Sequence, residues 1–425
     1  MILAHQLASM LLLFGVDAQM FYYRLASVPF NSDEPVHDRY KKYHVPYAPS
    51  PEDSEKNIAI VPEAATEIFS LFKKIQRVIW WMSVDGYLDH FLKMLGGVLE
   101  NPLGAPLPKM FYLGKDDDAT HFVQSEYARQ FLKLNGVPDY KVCMVEDYVS
   151  QAFLSRAAQI DLSRKENFVA YNPLKGFEIT QRLIQLAPDI DWRPIRNMTP
   201  EQVQELLAAS KVYIDFGKHP GKDRIPREAA VSGCVVITGR RGSAANDIDI
   251  NIPDEFKFDG SAKLSDIVAK IREVFENFSA THEKQADYRA RILDDKNRFV
   301  REVAAAFELK NPPRGGTALA QGFGDGTEIL LAKLQAAGVK PAFIVDDLMS
   351  TAELAKMSGG LITREQNRNY MSEDDNPIEI ITRDDAKFLY QEGRIENFAL
   401  LAPTADELAA VKNFYEPNAD DLIIY

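Results

Sequence analysis

The stretch that most constrains the fold is Lys211–Asp247, KVYIDFGKHPGKDRIPREAAVSGCVVITGRRGSAAND. Lys211 to Phe216 and Cys234 to Thr238 are short apolar, β-branched or aromatic runs of the kind that form buried strands. Pro226 suits the first residue of a helix between them, because its missing N–H would find no partner there in any case. Gly233 suits the end of that helix. The loop after the first strand carries Lys218, His219, Lys222 and Arg224 beside Gly217 and Gly221. Glycine lets backbone approach a ligand closely, and cations complement phosphate. Glu228 follows in the helix, where it either complements the helix dipole or accepts hydrogen bonds from sugar hydroxyls. Together these residues suggest a nucleotide-sugar pocket on a strand–helix–strand unit.

Composition sharpens that reading. A formal net charge of -13 argues against nucleic acid as a partner, since such binding needs accumulated positive surface. The basic loops are therefore local exceptions on an acidic chain. At 425 residues and 46% apolar content, two or three domains with real cores are expected. The two cysteines, Cys143 and Cys234, lie in apolar runs and read as free thiols in a reducing, cytoplasmic compartment. The start, MILAHQLASMLLLFGVDAQ, lacks a basic n-region and reads as a helix followed by a strand at Val16–Tyr22 rather than as a leader. No run reaches the roughly 18 apolar residues that cross a bilayer, so a soluble protein is expected, with room for peripheral association at the inner face of a membrane.

Residues 1–160 alternate strand-like and helical runs, with strands at Ile58–Val61, Val78–Met82, Met110–Leu113 and Tyr140–Val145. Residues 161–310 begin a second alternating unit: a strand at Phe168–Tyr171, a helix at Gly176–Leu186, and a helix opened by Thr199, Pro200 and Gln202 as a capping box. Charged helices follow, and NPPRGG at 311–316 is the clearest linker. A smaller α/β unit occupies 317–425. Alternation of this kind predicts parallel, helix-covered sheets, that is, an α/β fold.

In open α/β sheets, ligands bind at the carboxyl ends of strands. Asn172, Lys175 and Gly176 end one strand and open a helix whose free N–H groups favour a diphosphate. Lys218, His219, Lys222 and Arg224 stand at the equivalent place one unit later, and Arg240, Arg241, Gly242 and Ser243 after the next strand. Acceptor-side candidates are Asp85, beside the aromatic Trp80, Trp81 and Tyr87, together with His5 and with His121 in a loop before the Ser125 helix. Ser125 and Glu126 read as capping. Asp116–Asp118 imitates a metal-binding DxD run but reads as a solvated turn, so no metal and no cofactor are expected. GFGDG at 322–326 lacks the full dinucleotide spacing.

The run PREAAVSGCVVITGRRGSA resembles the C-terminal signature of GT-B glycosyltransferases of the GT4-like type, and HQLASMLLLFGVDAQMFY is similar to the first helix and second strand of their N-terminal domain. The resemblance implies two Rossmann-like domains facing a cleft, with Glu228 on the donor ribose or sugar and Lys175, Lys218 and Arg224 on the diphosphate. It also implies transfer of a sugar from a nucleotide donor to a carbohydrate or glycolipid acceptor, as in bacterial surface polysaccharide or glycoconjugate synthesis, without a metal. The paired glutamate of that signature is missing; Gly221 stands seven residues before Glu228. Two rivals share the architecture: a sugar-nucleotide epimerase, and a non-catalytic protein that binds nucleotide and recruits a partner.

Overall fold

The computed structural model describes residues 2–22, 36–100, 111, 113–311, 313, 315–321, 326–339, 341–346 and 378–425. Of the expected strand at Met110–Leu113 only Phe111 and Leu113 are described, neither of them in a strand, and most of GFGDG lies outside the described residues. The chain forms two compact units, Pro51–Glu308 and Met1–Ser50 with Leu309–Tyr425. The first fifty residues were expected with the segment up to 160; they instead join the C-terminal part.

Unit 51–308 contains two sheets, and each strand pair in them is parallel. The first runs in sequence order through β1 (Ile58–Pro62), β2 (Gln76–Trp81), β3 (Ala119–Val123) and β4 (Val142–Met144). The second uses β5 (Glu166–Tyr171), β6 (Asp191–Pro194), β7 (Ser210–Asp215), β8 (Val235–Gly239) and β9 (Lys257–Phe258) in the order β6-β5-β7-β8-β9. The central strands β7 and β8 carry the apolar runs Val212–Ile214 and Val235–Ile237 and are almost wholly buried, as helices on both faces require. Phe168, Val212, Tyr213, Val235 and Ile237 are fully buried there.

Local signals set the helices that turn this sheet around. Thr199 caps Pro200–Ala209, with Gln202 closing the capping box and Pro200 in the first turn. Ser125 caps Glu126–Leu134. The crossover helix between β7 and β8 spans Arg224–Val231, so Pro226 is its third residue rather than its first. Gly233, at φ +82°, ends it. The Gly233 N–H donates to the Ala230 carbonyl and the Cys234 N–H to the Ala229 carbonyl, the pair of bonds of a Schellman motif. A Cβ on Gly233 would also meet Leu162 Cδ2 at 2.5 Å.

The other unit holds β10 (Gly316–Leu319), β11 (Pro341–Val345), β12 (Glu379–Ile381), β13 (Ile395–Leu400) and β14 (Leu422–Ile424), parallel in the order β12-β11-β10-β13-β14. The helix Ile2–Leu13 belongs here: Arg394 donates to Ser9 Oγ (3.3 Å) and to the Tyr43 carbonyl (3.0 Å), and Tyr43 is buried in the core of this sheet. Residues 16–22 form no strand beyond an isolated bridge from Met20 to Tyr47. Among the described residues, no helix is long and apolar enough to cross a membrane.

Candidate functional site

In the sheet β6-β5-β7-β8-β9 the chain leaves β5 toward one edge and returns beyond it as β7. The loops that follow β5 and β7 therefore diverge, which is where α/β sheets place ligands. Residues 172–176, 216–223 and 240–243 come together at this end. Gly176, at φ +61°, opens the helix Phe177–Leu186 and lies against the Phe216–Gly217 peptide. Asn172 Oδ1 accepts from the Leu174 N–H (3.0 Å) and so shapes the first loop. Buried Ser243 donates from Oγ to the Gly221 carbonyl (2.7 Å), and its N–H donates to the His219 carbonyl (2.8 Å). The glycines were expected to admit a ligand. Their close contacts here are with neighbouring loops.

The basic residues divide into two groups. Lys218 is exposed, and among the described contacts it makes no ion pair. Lys175 Nζ reaches Asp223 Oδ1 at 2.8 Å, Arg224 Nε reaches Glu228 Oε1 at 2.7 Å, and exposed Arg241 lies 3.6 Å from Glu178. These four line the solvent side. Burial pushes the Glu228 carboxyl above its usual value, against the pull of Arg224.

Lys222 points the other way. Only 8% of its side chain is exposed, and Nζ contacts Glu146, the Asp147 carbonyl (3.1 Å) and Asp295 (3.1 Å). Arg227, which the sequence did not distinguish from its neighbours, completes this network with a bidentate pair to Asp147 (2.7 and 2.8 Å) and a bond to Asp295 (3.1 Å). Burial opposes the charge of Glu146, but Lys222 and Arg298 outweigh it and hold its carboxyl at about 2. The expected role of Lys222 on phosphate is thus replaced by one inside the protein.

His219 is also fully buried, not presented to a ligand. Its Nδ1 lies 2.8 Å from Asp223 Oδ2, and its Nε2 lies 3.5 Å from the Asp215 carbonyl oxygen and 3.7 Å from Asp215 Oδ1. Burial works against a charge on the ring, but the two carboxylates outweigh it and raise its pKa. Asp215 is raised by burial; Asp223 is lowered, because His219 and Lys175 overcome burial. Asp215, His219 and Asp223 bring ligand-type atoms within 4.8 Å of one another, the one such group among the described residues.

The acceptor-side candidates are dispersed. Trp80, Trp81 and Tyr87 are core residues rather than sugar platforms. His121 lies within β3, not in a loop, and is fully buried. Trp81 Nε1 donates to its Nδ1 (3.0 Å), so Nε2 carries the proton and faces Asp117 Oδ2 (3.2 Å). Burial lowers its pKa. Asp117 also accepts from the Gly114 and Ala119 N–H groups, and Asp118 pairs with Arg77, so the acidic run is a structural turn. Asp85 is half-buried at the start of the helix Val84–Glu100 and accepts from the Tyr127 hydroxyl (2.9 Å). His5 belongs to the other unit, stacked on Tyr40 with centroids 4.6 Å apart and 2.8 Å from the Tyr22 hydroxyl.

Sequence reasoning passed over Glu63. Its buried carboxylate accepts from the Met82 N–H (2.9 Å) at the end of β2, and burial pushes it up to about 7. Met82 and Val84 meet the second sheet: the Val84 N–H donates to the Pro220 carbonyl (3.0 Å), and a Cβ on Gly221 would overlap the Met82 carbonyl oxygen. A glutamate pair separated by seven residues would in fact place its first member at Pro220, not Gly221, and neither position carries a carboxylate.

No family model matches the chain, and no curated protein matches it. Solved structures similar to it include HepE from Anabaena in complex with UDP, 12% identical with a TM-score of 0.42 over 63% of this chain and 87% of that one. A glycosyltransferase from Rickettsia africae ESF-5 is 12% identical with a TM-score of 0.46 over 72% of this chain and 93% of that one. WaaG, a glycosyltransferase involved in lipopolysaccharide biosynthesis, is 11% identical with a TM-score of 0.40 over 71% of this chain and 93% of that one. Likeness of this degree decides neither fold nor function, and both are read from the chain's own sheets and side chains.

Proposed function

We propose that the chain is a glycosyltransferase of GT-B type that takes a nucleoside-diphosphate sugar at the carboxyl ends of β5, β7 and β8. The observation that carries this reading is the gathering of Lys175, Lys218, Arg224 and Arg241 at one end of one sheet of an acidic protein, with Glu228 beside Arg224. The bond from the anomeric carbon to the diphosphate oxygen breaks, a bond to the acceptor hydroxyl oxygen forms, and the hydroxyl proton passes to a base or to the departing diphosphate. Lys218, Lys175 and Arg224 offset the charge that develops on the diphosphate, a task that asks for no metal. Glu228 accepts from donor hydroxyls. A carbohydrate or glycolipid acceptor of bacterial surface polysaccharide or glycoconjugate synthesis, met in the cytoplasm or at the inner membrane face, suits this chemistry.

A second reading has its own support. The bond from Val84 to Pro220 and the contact of Gly221 with Met82 join the first sheet to the phosphate loop, where an acceptor would otherwise enter. A nucleotide-binding protein without turnover fits that closure. A melting screen with nucleoside diphosphates, followed by product analysis of the best donor, separates the two. Stabilisation with product supports transfer; stabilisation without product supports the second reading; no stabilisation by any diphosphate rejects both. Arg224→Ala and Glu228→Ala should each weaken donor binding with the fold intact, and wild-type binding in both would show the pocket lies elsewhere.

A further inference from the structure

His219 is sealed beneath the phosphate loop, and both of its ring nitrogens face acceptors. Nδ1 lies 2.8 Å from Asp223 Oδ2; Nε2 lies 3.5 Å from the Asp215 carbonyl oxygen and 3.7 Å from Asp215 Oδ1. A neutral imidazole has one N–H and one lone pair, so one of these contacts would set a lone pair against an oxygen. A protonated ring has an N–H on both sides. Burial opposes that charge, and Asp223 and Asp215 overcome it. With Nδ1 taken by Asp223, the three side chains partner one another rather than an ion. The other charged group that acts on the ring is Lys175, which opposes its charge and reaches Asp223 Oδ1 at 2.8 Å. Tyr213, which donates to Asp215 Oδ2 (3.1 Å), is kept neutral by burial. The loop after β8 meets His219 through backbone, from the Ser243 N–H.

Asp223 thus carries one cation on each carboxylate oxygen, and the two differ in freedom. His219 is fully buried, whereas 33% of the Lys175 side chain is exposed. We propose that His219 is a positioning residue for a donor diphosphate: its imidazolium keeps Asp223 paired, which releases Lys175 to turn its ammonium to a phosphate. Without the ring charge, Lys175 must stay on Asp223, because leaving it would strand a buried carboxylate. The balance of charge agrees. Asp215 and Asp223 are matched by His219 and Lys175, and a neutral ring leaves one negative charge in excess under a loop that meets an anion. Asp223 also stands just before the helix Arg224–Val231, so the imidazolium holds the helix start that carries Arg224 and Glu228. The inference rests on the donor reading of this site and adds to it a residue that touches no substrate.

The test uses the full-length protein and inorganic pyrophosphate, which requires no choice of nucleotide, with affinity measured by calorimetry from pH 6 to pH 9. His219→Gln keeps a polar side chain without the charge and should bind about tenfold more weakly than wild type at pH 6. The gap should close as pH rises and the wild-type ring loses its proton. Lys175→Ala should cost much less in the His219→Gln background than in wild type, since Lys175 is no longer released there. A gap that is the same at every pH, or a cost of Lys175→Ala that is the same in both backgrounds, marks a merely structural role and overturns the proposal. Weaker binding in Lys218→Ala with His219→Gln unchanged overturns it while the donor reading stands. No pyrophosphate binding to wild type also overturns it, and the nucleotide screen then decides the donor reading separately. Should His219→Gln fail to fold, the wild type decides by the nitrogen resonances of the His219 ring. They should titrate above the roughly 6.5 of free histidine, and pyrophosphate should raise the midpoint further, because the two binding events are reciprocal. A ring already neutral at pH 6.5, or a midpoint that pyrophosphate does not move, overturns the proposal.

Discussion

Two lysines four residues apart show how little a basic motif says until its side chains are placed. Lys218 stands in solvent and Lys222 is sealed against Glu146 and Asp295. Lys218→Ala should weaken nucleoside-diphosphate binding about tenfold, the loss of one charge-assisted contact, with the melting temperature unchanged. Lys222→Ala should instead leave two buried carboxylates short of a partner and cost about 3–5 kcal/mol, read by urea denaturation. Lys175, Lys218 and Arg224 were legible in the sequence as cations at strand ends. The burial of Lys222 and His219 was not, because the partners of Lys222 come from 73 and 76 residues away. Glu63 offers a titration. Its folded value of about 7 lies above the unfolded 4.5, so its contribution to stability is full at acid pH and is lost as pH climbs through 7. Glu63→Gln keeps an acceptor for the Met82 N–H and removes the buried charge. The variant should gain about 3 kcal/mol on wild type between pH 4.5 and pH 8.5, measured as the difference in unfolding free energy.

At the scale of elements, helix ends are legible where their causes are local. The capping box of Thr199 and Gln202 and the Gly233 terminus each span a few residues. Strand pairing is not local and is less legible: Val16–Tyr22 ends on an apolar, aromatic run but finds one bridge, and His121 pairs within β3 rather than lying in a loop. The contact between the two sheets of unit 51–308 was invisible for the same reason. It depends on Gly221 having no side chain. Gly221→Ala drives a methyl group into the Met82 carbonyl, so the loop and the end of β2 must part. A loss of about 1–3 kcal/mol is expected, with faster hydrogen exchange at the Val84 amide, whose acceptor is the adjacent Pro220 carbonyl. An unchanged Val84 exchange rate would show that this bond does not depend on Gly221.

For the whole molecule, the α/β class is legible in the sequence but the division of the chain is not. Nothing around Tyr43 announces that it is buried with Phe388 and Phe398 rather than with its neighbours in sequence. Unit 51–308 is continuous and has its own cores. Expressed alone it should fold and melt cooperatively by circular dichroism. Residues 309–425 alone should not, lacking Tyr43 and the rest of residues 1–50. The division also has a consequence for biosynthesis. The helix Ile2–Leu13 is synthesised before residues 51–308, yet Arg394, which bonds its Ser9, lies 385 residues further along the chain. At 5–20 residues per second the helix waits roughly 20–80 s for that partner, while unit 51–308 is made in between. During that interval the nascent chain carries a hydrophobic helix without its later partners, which makes it a natural substrate for the chaperones that meet chains at the exit tunnel.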